Sequence, residues 1–334
     1  MLPDPTPGTP RPGKPDRHEA RARRTRGGPR RGSSSEGARM ADVAVIGAGV
    51  TGAAVARACA GAGLSVVVWN RSPARAEALA GPAVTPRRTV EEAVRSSRTV
   101  VLALIGYDVS RAVLEPAERW LDGRLVVQTA NGSHDDVGPF ARWVEAAGGR
   151  CLDAAFLGHP RAIGTPDNHT VYSGRSECYD EAVALREALG GRAVHLGQDI
   201  TRAKACLTVA AVWYYAGVNG FLECVTFALR TGVPLAEFAK SVPLHQTRVQ
   251  RAIDVGVELV RRGDYRFGQQ PLTAHLDALR QLASFAEETG ITRSFLPVLR
   301  DRVRQAIDDG YHDEHITVLC EQFPRPTAGR LEHR

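Results

Sequence analysis

The run Val43-Ala-Val-Ile-Gly47-Ala-Gly49-Val-Thr-Gly52, followed by Val66-Val-Val-Trp-Asn70-Arg71-Ser72, constrains the fold more than any other part of the chain. It reads as strand, glycine turn, helix and second strand. Gly47 permits the tight turn, Gly49 lets a pyrophosphate approach the backbone, and Gly52 allows helix and strand to pack closely. The phosphates then meet the amides and the dipole at the helix N-terminus, where Val50 and Thr51 stand. An Asp or Glu at the end of the second strand would hydrogen-bond the ribose of NAD and repel a 2′-phosphate. Asn70 stands there, with Arg71, Ser72 and Arg75 supplying cations and a hydroxyl suited to a phosphate dianion, so NADPH is the expected cofactor. The alternative is that Arg71 and Arg75 are solvated surface charges.

Charge locates a second feature. Of the formal +6, all comes from residues 1 to 40, which hold ten Lys or Arg against four Asp or Glu; the remainder carries 33 of each sign. That segment has seven prolines and almost no large apolar residue, which predicts a disordered basic arm. It lacks the apolar stretch of a secretory signal. With the rest of the chain balanced, a nucleic-acid partner is not expected, and a basic arm touching nucleic acid is the alternative. Met40 precedes the first strand, and the expectation is that it is the natural start. Six cysteines at 59, 151, 178, 206, 224 and 320 show no zinc or disulfide spacing and read as small buried thiols of a cytoplasmic protein. His312 and His315 lack a third ligand, so no metal is expected.

Strands are expected at 42–46, 64–69, 99–104, 125–129, 150–153, 170–173 and 193–196. Helical stretches such as 72–79, 90–95 and 136–147 lie between them. This alternation predicts a mainly parallel sheet with helices on both faces over 41–197. From 198 to 325 the pattern is helical, with helices near 235–262, 271–288, 293–308 and 313–322, and 326–334 is a tail. Residues 205 to 222 contain no charge, yet Thr208, Tyr214, Tyr215, Asn219 and two glycines interrupt them, so a buried core helix is expected rather than a membrane span. One chain has too few neighbours to cover it, and a homodimer follows.

With these residues in view the chain resembles the imine reductases, a branch of the β-hydroxyacid dehydrogenase and 6-phosphogluconate dehydrogenase-like superfamily. The resemblance rests on the glycine turn with Trp69-Asn70-Arg71-Ser72 and Arg75, on Leu152-Asp153-Ala154-Ala155, and on Pro160 to Pro166 with Val171-Tyr172-Ser173-Gly174. Asn219-Gly220-Phe221 and the ending Asp313 to Glu321 extend it over about 41 to 325. It implies a Rossmann N-terminal domain, a long interdomain helix and an all-α C-terminal domain exchanged in a domain-swapped dimer. The implied reaction reduces the C=N bond of an imine or iminium with NADPH, with secondary metabolism as the expected setting. Asn131-Gly132-Ser133 matches the family's turn beside the nicotinamide, and an ordinary turn is its other reading. With Leu104, these complete the expected cofactor set.

The chain also departs from its relatives. Hydroxyacid dehydrogenases of the superfamily carry a Ser-Gly-Gly that holds a substrate carboxylate, where this chain has Leu157-Gly158-His159, with leucine in place of the serine. Many imine reductases place an Asp or Tyr near the start of the long helix, where Leu207 stands. Four candidates remain for the catalytic group. Lys204, with Thr208 one turn on, mimics the dehydrogenase Lys and Asn spacing, and a desolvated ammonium gives up its proton more readily. Tyr214 offers a phenol, with a core role as the alternative, and His159 an imidazole, with a backbone-satisfied loop residue as the alternative. An iminium that arrives already protonated needs none of them. The competing functions are a hydroxyacid or aldehyde reductase using Lys204, and a catalytically silent NADPH-binding partner protein.

Overall fold

The computed structural model describes residues 40–266, 270–291 and 293–323. The basic arm up to Arg39 and the tail 326–334 lie outside the described residues.

From the N-terminal side the elements are β1 (Ala41–Ile46), α1 (Val50–Gly61), β2 (Val66–Trp69), α2 (Pro73–Glu77), β3 (Val84–Pro86), α3 (Val90–Arg95) and β4 (Ser97–Leu102). They continue with α4 (Tyr107–Leu114), β5 (Leu125–Gln128), α5 (His134–Ala146), β6 (Arg150–Phe156), β7 (His169–Ser173), α6 (Ser176–Glu181), α7 (Val183–Leu189) and β8 (Arg192–His195). The strands form one eight-stranded sheet in the order β3-β2-β1-β4-β5-β6-β7-β8. Every neighbouring pair is parallel except β6 and β7, where Ala154 faces Tyr172 in antiparallel register. Valine-rich runs such as Val66-Val-Val give strands buried on both faces, as a parallel sheet covered by helices requires. One face packs on α1, α6 and α7 through Val55, Cys59 and Leu185, the other on α3, α4 and α5 through Val94, Leu114 and Phe140.

The helical half consists of α8 (Arg202–Thr231), α9 (Leu235–Arg262), α10 (Leu272–Glu288) and α11 (Leu296–Asp308), with a 3-10 turn over Ile316–Gln322 where a last helix was expected. Its core gathers Leu259, Leu272, Leu279, Ala283 and Val303. Only the ends of α8 are buried, at Ala203, Lys204 and Ala228.

Between those ends the single chain leaves α8 uncovered, and the burial expected of it is not supplied within one copy. Val212, Trp213, Tyr214 and Tyr215 are all exposed. Successive helical residues point about 100° apart, so four exposed in a row leave α8 uncovered all round. None of these four side chains is covered by the described residues of the same chain. Three of the cysteines also depart from expectation: Cys224 and Cys320 lie at the surface and Cys206 is half-buried.

Candidate functional site

The loops after β1, β2, β4, β5 and β6 converge with the second turn of α8 on a cleft of about 670 Å³. It lies across the carboxyl ends of the strands, as expected for an open α/β sheet. At one end stand Gly47, Gly49, Val50 and Thr51, beside Asn70, Arg71, Ser72 and Arg75; Leu104 and Asn131 lie along it, and Phe156, Gly158, Pro160 and Leu207 line it as well.

The glycines divide their work. Gly47 has φ +105°, and a Cβ there would sit 2.4 Å from the Ala103 carbonyl oxygen. A Cβ on Gly52 would fall 1.9 Å from the Gly47 carbonyl oxygen, so Gly52 serves helix packing and does not itself line the cleft. A Cβ on Gly49 would meet no protein atom within 4 Å. It faces the cleft, and no side chain caps the N-terminus of α1 that follows it. This is an open cradle of amides suited to a pyrophosphate.

Asn70 has a different task from the acid it replaces. Its Oδ1 accepts from the Ala48 amide at 2.9 Å and its Nδ2 donates to the Ser72 carbonyl at 3.0 Å, stapling the glycine turn to the next loop. Arg71 and Ser72 in that loop and Arg75 in α2 are exposed, and neither guanidinium pairs with a carboxylate among the described residues. The donor set therefore fits a 2′-phosphate.

Besides Gly52, two expected cofactor residues lie outside the cleft. A Cβ on Gly132 would stand 2.6 Å from the Tyr107 ring, so this glycine allows close packing over Tyr107. Ser133 caps α5: its hydroxyl accepts from the Asp135 amide at 3.1 Å, and the Asp136 carboxylate accepts from the Ser133 amide at 2.8 Å. The family-like turn at 131–133 thus contributes Asn131 alone.

The four catalytic candidates are not brought together. Lys204 does not line the cleft. Its side chain is wholly buried, with Nζ donating to the Ala154 carbonyl at 2.6 Å and lying 3.1 Å from Asp153 Oδ1. Nothing in this arrangement carries its proton to a substrate, which corrects the expectation of Lys204 as the acid. Thr208 donates to the Lys204 carbonyl at 3.1 Å, a local helix contact. Tyr214 is exposed and stacks edge-on against Tyr215, away from the cleft. His159 falls between the cleft residues Gly158 and Pro160 but turns its Nδ1 to the Arg161 amide at 3.3 Å. The backbone-satisfied alternative describes this histidine.

Sequence reasoning missed Asp153 and Tyr107. The Tyr107 hydroxyl donates to Asp153 Oδ2, and the ring lies 5.9 Å from Lys204 Nζ. Burial pushes the Asp153 carboxyl up to about 6, against the opposing pull of the Lys204 charge and the Tyr107 hydrogen bond. Burial and then the Asp153 charge drive the Tyr107 phenol far above its usual range.

Comparisons with known proteins match both halves. Residues 42–197 match the NAD binding domain of 6-phosphogluconate dehydrogenase, and 199–325 the C-terminal domain of NADPH-dependent reductive aminase-like proteins. An imine reductase from Myxococcus stipitatus in complex with NADP+ superposes with a TM-score of 0.78 at 27% identity, over 84% of this chain and 99% of that one. The chain belongs to the imine reductase family. Other family members are similarly distant. A Streptomyces aurantiacus imine reductase gives a TM-score of 0.78 at 26% identity, over 85% of this chain and 100% of that one. An NADPH-dependent reductive aminase of Aspergillus oryzae is 23% identical over 271 residues, or 78% of this chain and 90% of that protein.

Proposed function

We propose that this member of the imine reductase family is an NADPH-dependent oxidoreductase that reduces the C=N bond of an imine or iminium to an amine. One observation carries the reading: a single cleft joins an unpaired basic lip at Arg71 and Arg75 to an apolar stretch at Phe156 and Leu207. Bound NADPH would supply a hydride to the C=N carbon. The chain's own residues do the rest. Arg71, Ser72 and Arg75 hold the 2′-phosphate, the amides following Gly49 hold the pyrophosphate, and Leu104 and Asn131 border the nicotinamide half. Phe156, Pro160 and Leu207 exclude water and orient an apolar substrate.

The cleft residues include no carboxylate, phenol, imidazole or ammonium. A substrate that arrives as an iminium needs no acid from these residues. Lys204, sequestered against Asp153, offers little to a hydroxyacid or aldehyde reductase. The uncovered middle of α8 supports a homodimer in which a second copy covers it and completes the substrate end.

The test follows NADPH oxidation with a pyrroline, with an N-alkylated cyclic iminium and with succinic semialdehyde. Turnover of both nitrogen substrates is expected, the iminium retaining its rate at alkaline pH where a neutral imine loses protonation. Turnover of the aldehyde alone would overturn the proposal. Tight NADPH binding without turnover of any of the three would favour the silent binding protein.

A further inference from the structure

Three buried side chains from three elements meet beneath the cleft. Asp153 in β6 has no exposed surface, Lys204 in the first turn of α8 is 1% exposed, and Tyr107, the first residue of α4, is 4% exposed. Asp153 accepts from the Tyr107 hydroxyl through Oδ2 and pairs with the Lys204 ammonium through Oδ1 at 3.1 Å. The same ammonium donates to the Ala154 carbonyl of β6 at 2.6 Å.

Each member stands close in sequence to a wall of the cleft. Ala103, Leu104 and Ile105 line it just before Tyr107, Phe156 lines it three residues after Asp153, and Leu207 lines it one turn after Lys204. The group therefore sits where the β4–α4 loop, the end of β6 and the start of α8 are set against one another.

The start of α8 meets β6 and β7 through a small apolar contact, Ala203, Cys206 and Leu207 against Ala155 and Val171, with the Ala203 amide donating to the Ser173 hydroxyl at 2.9 Å. A buried ion pair tolerates one register only, because any displaced arrangement leaves a charge without its partner in a low-dielectric interior. Such pairs are weak stabilisers against an apolar replacement, and their best-attested use is to specify register.

We propose that Tyr107, Asp153 and Lys204 form a buried strut that sets Leu207 against Phe156 and the 103–105 loop, which makes Lys204 a positioning residue for the reduction. The proposal rests on the reductase reading for its kinetic consequence and on the geometry for the rest. The phosphate end of the cleft is built on β1, α1 and β2, so the strut acts chiefly on the substrate end and bears on the cofactor only through the 103–105 loop.

The experiment compares the full-length protein with Tyr107→Phe and with the triple apolar variant Tyr107→Phe/Asp153→Leu/Lys204→Met. It measures melting temperature, NADP+ affinity by fluorescence titration, amide exchange over residues 203–208, and kcat and KM for a cyclic imine. The triple variant is expected to melt close to the parent, since it leaves no charge buried without a partner. Its kcat/KM should nonetheless fall on the order of 10- to 100-fold, the scale of a small misplacement of reacting groups. NADP+ affinity should stay within about twofold of the parent, and exchange over 203–208 should accelerate. Tyr107→Phe, which removes one hydroxyl, should show the same pattern more weakly, with KM raised by roughly a few-fold.

A triple variant with parental kcat/KM and parental exchange would overturn the strut. A Lys204→Met variant that loses kcat at unchanged KM, with an altered pH profile and parental exchange, would overturn it in favour of proton donation. If the parent turns over no imine, the reductase reading fails; the exchange pattern over 203–208 still decides the strut. Should the triple variant not fold, Tyr107→Phe decides on the same readouts.

Discussion

Asn70 shows how one amide can do two jobs at a cofactor lip. Its two hydrogen bonds fix the turn at Ala48 and the loop at Ser72, and its neutrality leaves the ground before Arg71 and Arg75 free of negative charge. Arg71→Ala should therefore weaken NADPH binding about 10- to 100-fold, the worth of one charge-assisted contact, with little effect on NADH. Titration with both cofactors checks this; equal losses would place the phosphate elsewhere. This residue-level chemistry was legible because it lies within one β-α-β stretch of the chain. The Lys204 site was not, because its partners come from far away: Tyr107 and Asp153 are separated by 46 positions, and spacing carries no trace of such a pairing. Asp153 also gives a pH signature. Its carboxyl is raised in the fold from 3.8 to about 6, so the folded state holds the proton more tightly than the unfolded chain. The stability due to this group is full below about pH 4 and is lost as pH rises through about 6. Thermal unfolding of the parent and of Asp153→Asn from pH 4 to 8 should show the parent's relative stability declining up to that point and then levelling. A difference constant with pH would contradict the assignment.

Among the elements, those with strong end signals were read most closely. α3 (Val90–Arg95) begins after Thr89, whose hydroxyl accepts from the Glu92 amide, and α9 (Leu235–Arg262) ends at Gly263 with φ +66°. β3 escaped because Val84-Thr-Pro86 is three residues long and ends in a proline, tolerable only at the sheet edge it occupies. α8 extends at both ends beyond its uncharged stretch for a related reason. Its flanking charges are satisfied, Lys204 by Asp153 and Glu223 by the Ser294 hydroxyl and the Phe295 amide, so they do not end the helix. The sequence pattern at 131–133 was real but belonged to a cap. Ser133→Ala should cost about 1 kcal/mol in chemical denaturation, the usual loss for an N-cap, and leave NADP+ affinity unchanged. A loss of affinity without a loss of stability would return Ser133 to the cofactor site.

At the scale of the whole molecule, α8 is the part of the fold that one chain leaves unfinished. Leu222 and Leu229 are exposed beyond the run Val212 to Tyr215, and burying each such side chain is worth about 1.5–3 kcal/mol. A flat side-by-side contact covers a single stripe of a helix, whereas around 212–215 this one is bare on every side, so its cover must wrap around it there. A second copy supplying its own helical half does so, and it would bring that copy's residues to the substrate end near Leu207. A bilayer is the rival occupant, since the helix is long and apolar enough to cross one. Both ends argue against it: the first turn is buried against β6 and β7 through Ala203 and Lys204, and the last third carries Glu223 and Arg230. Sedimentation of the purified protein at micromolar concentration without detergent should therefore give a dimer. Tyr215→Arg with Leu222→Arg should yield monomers that still bind NADP+, because the basic lip and the Gly49 cradle belong to one chain, and that no longer reduce imine. A parent that stays monomeric, or that needs detergent or vesicles to remain in solution, would defeat the dimer and favour the membrane.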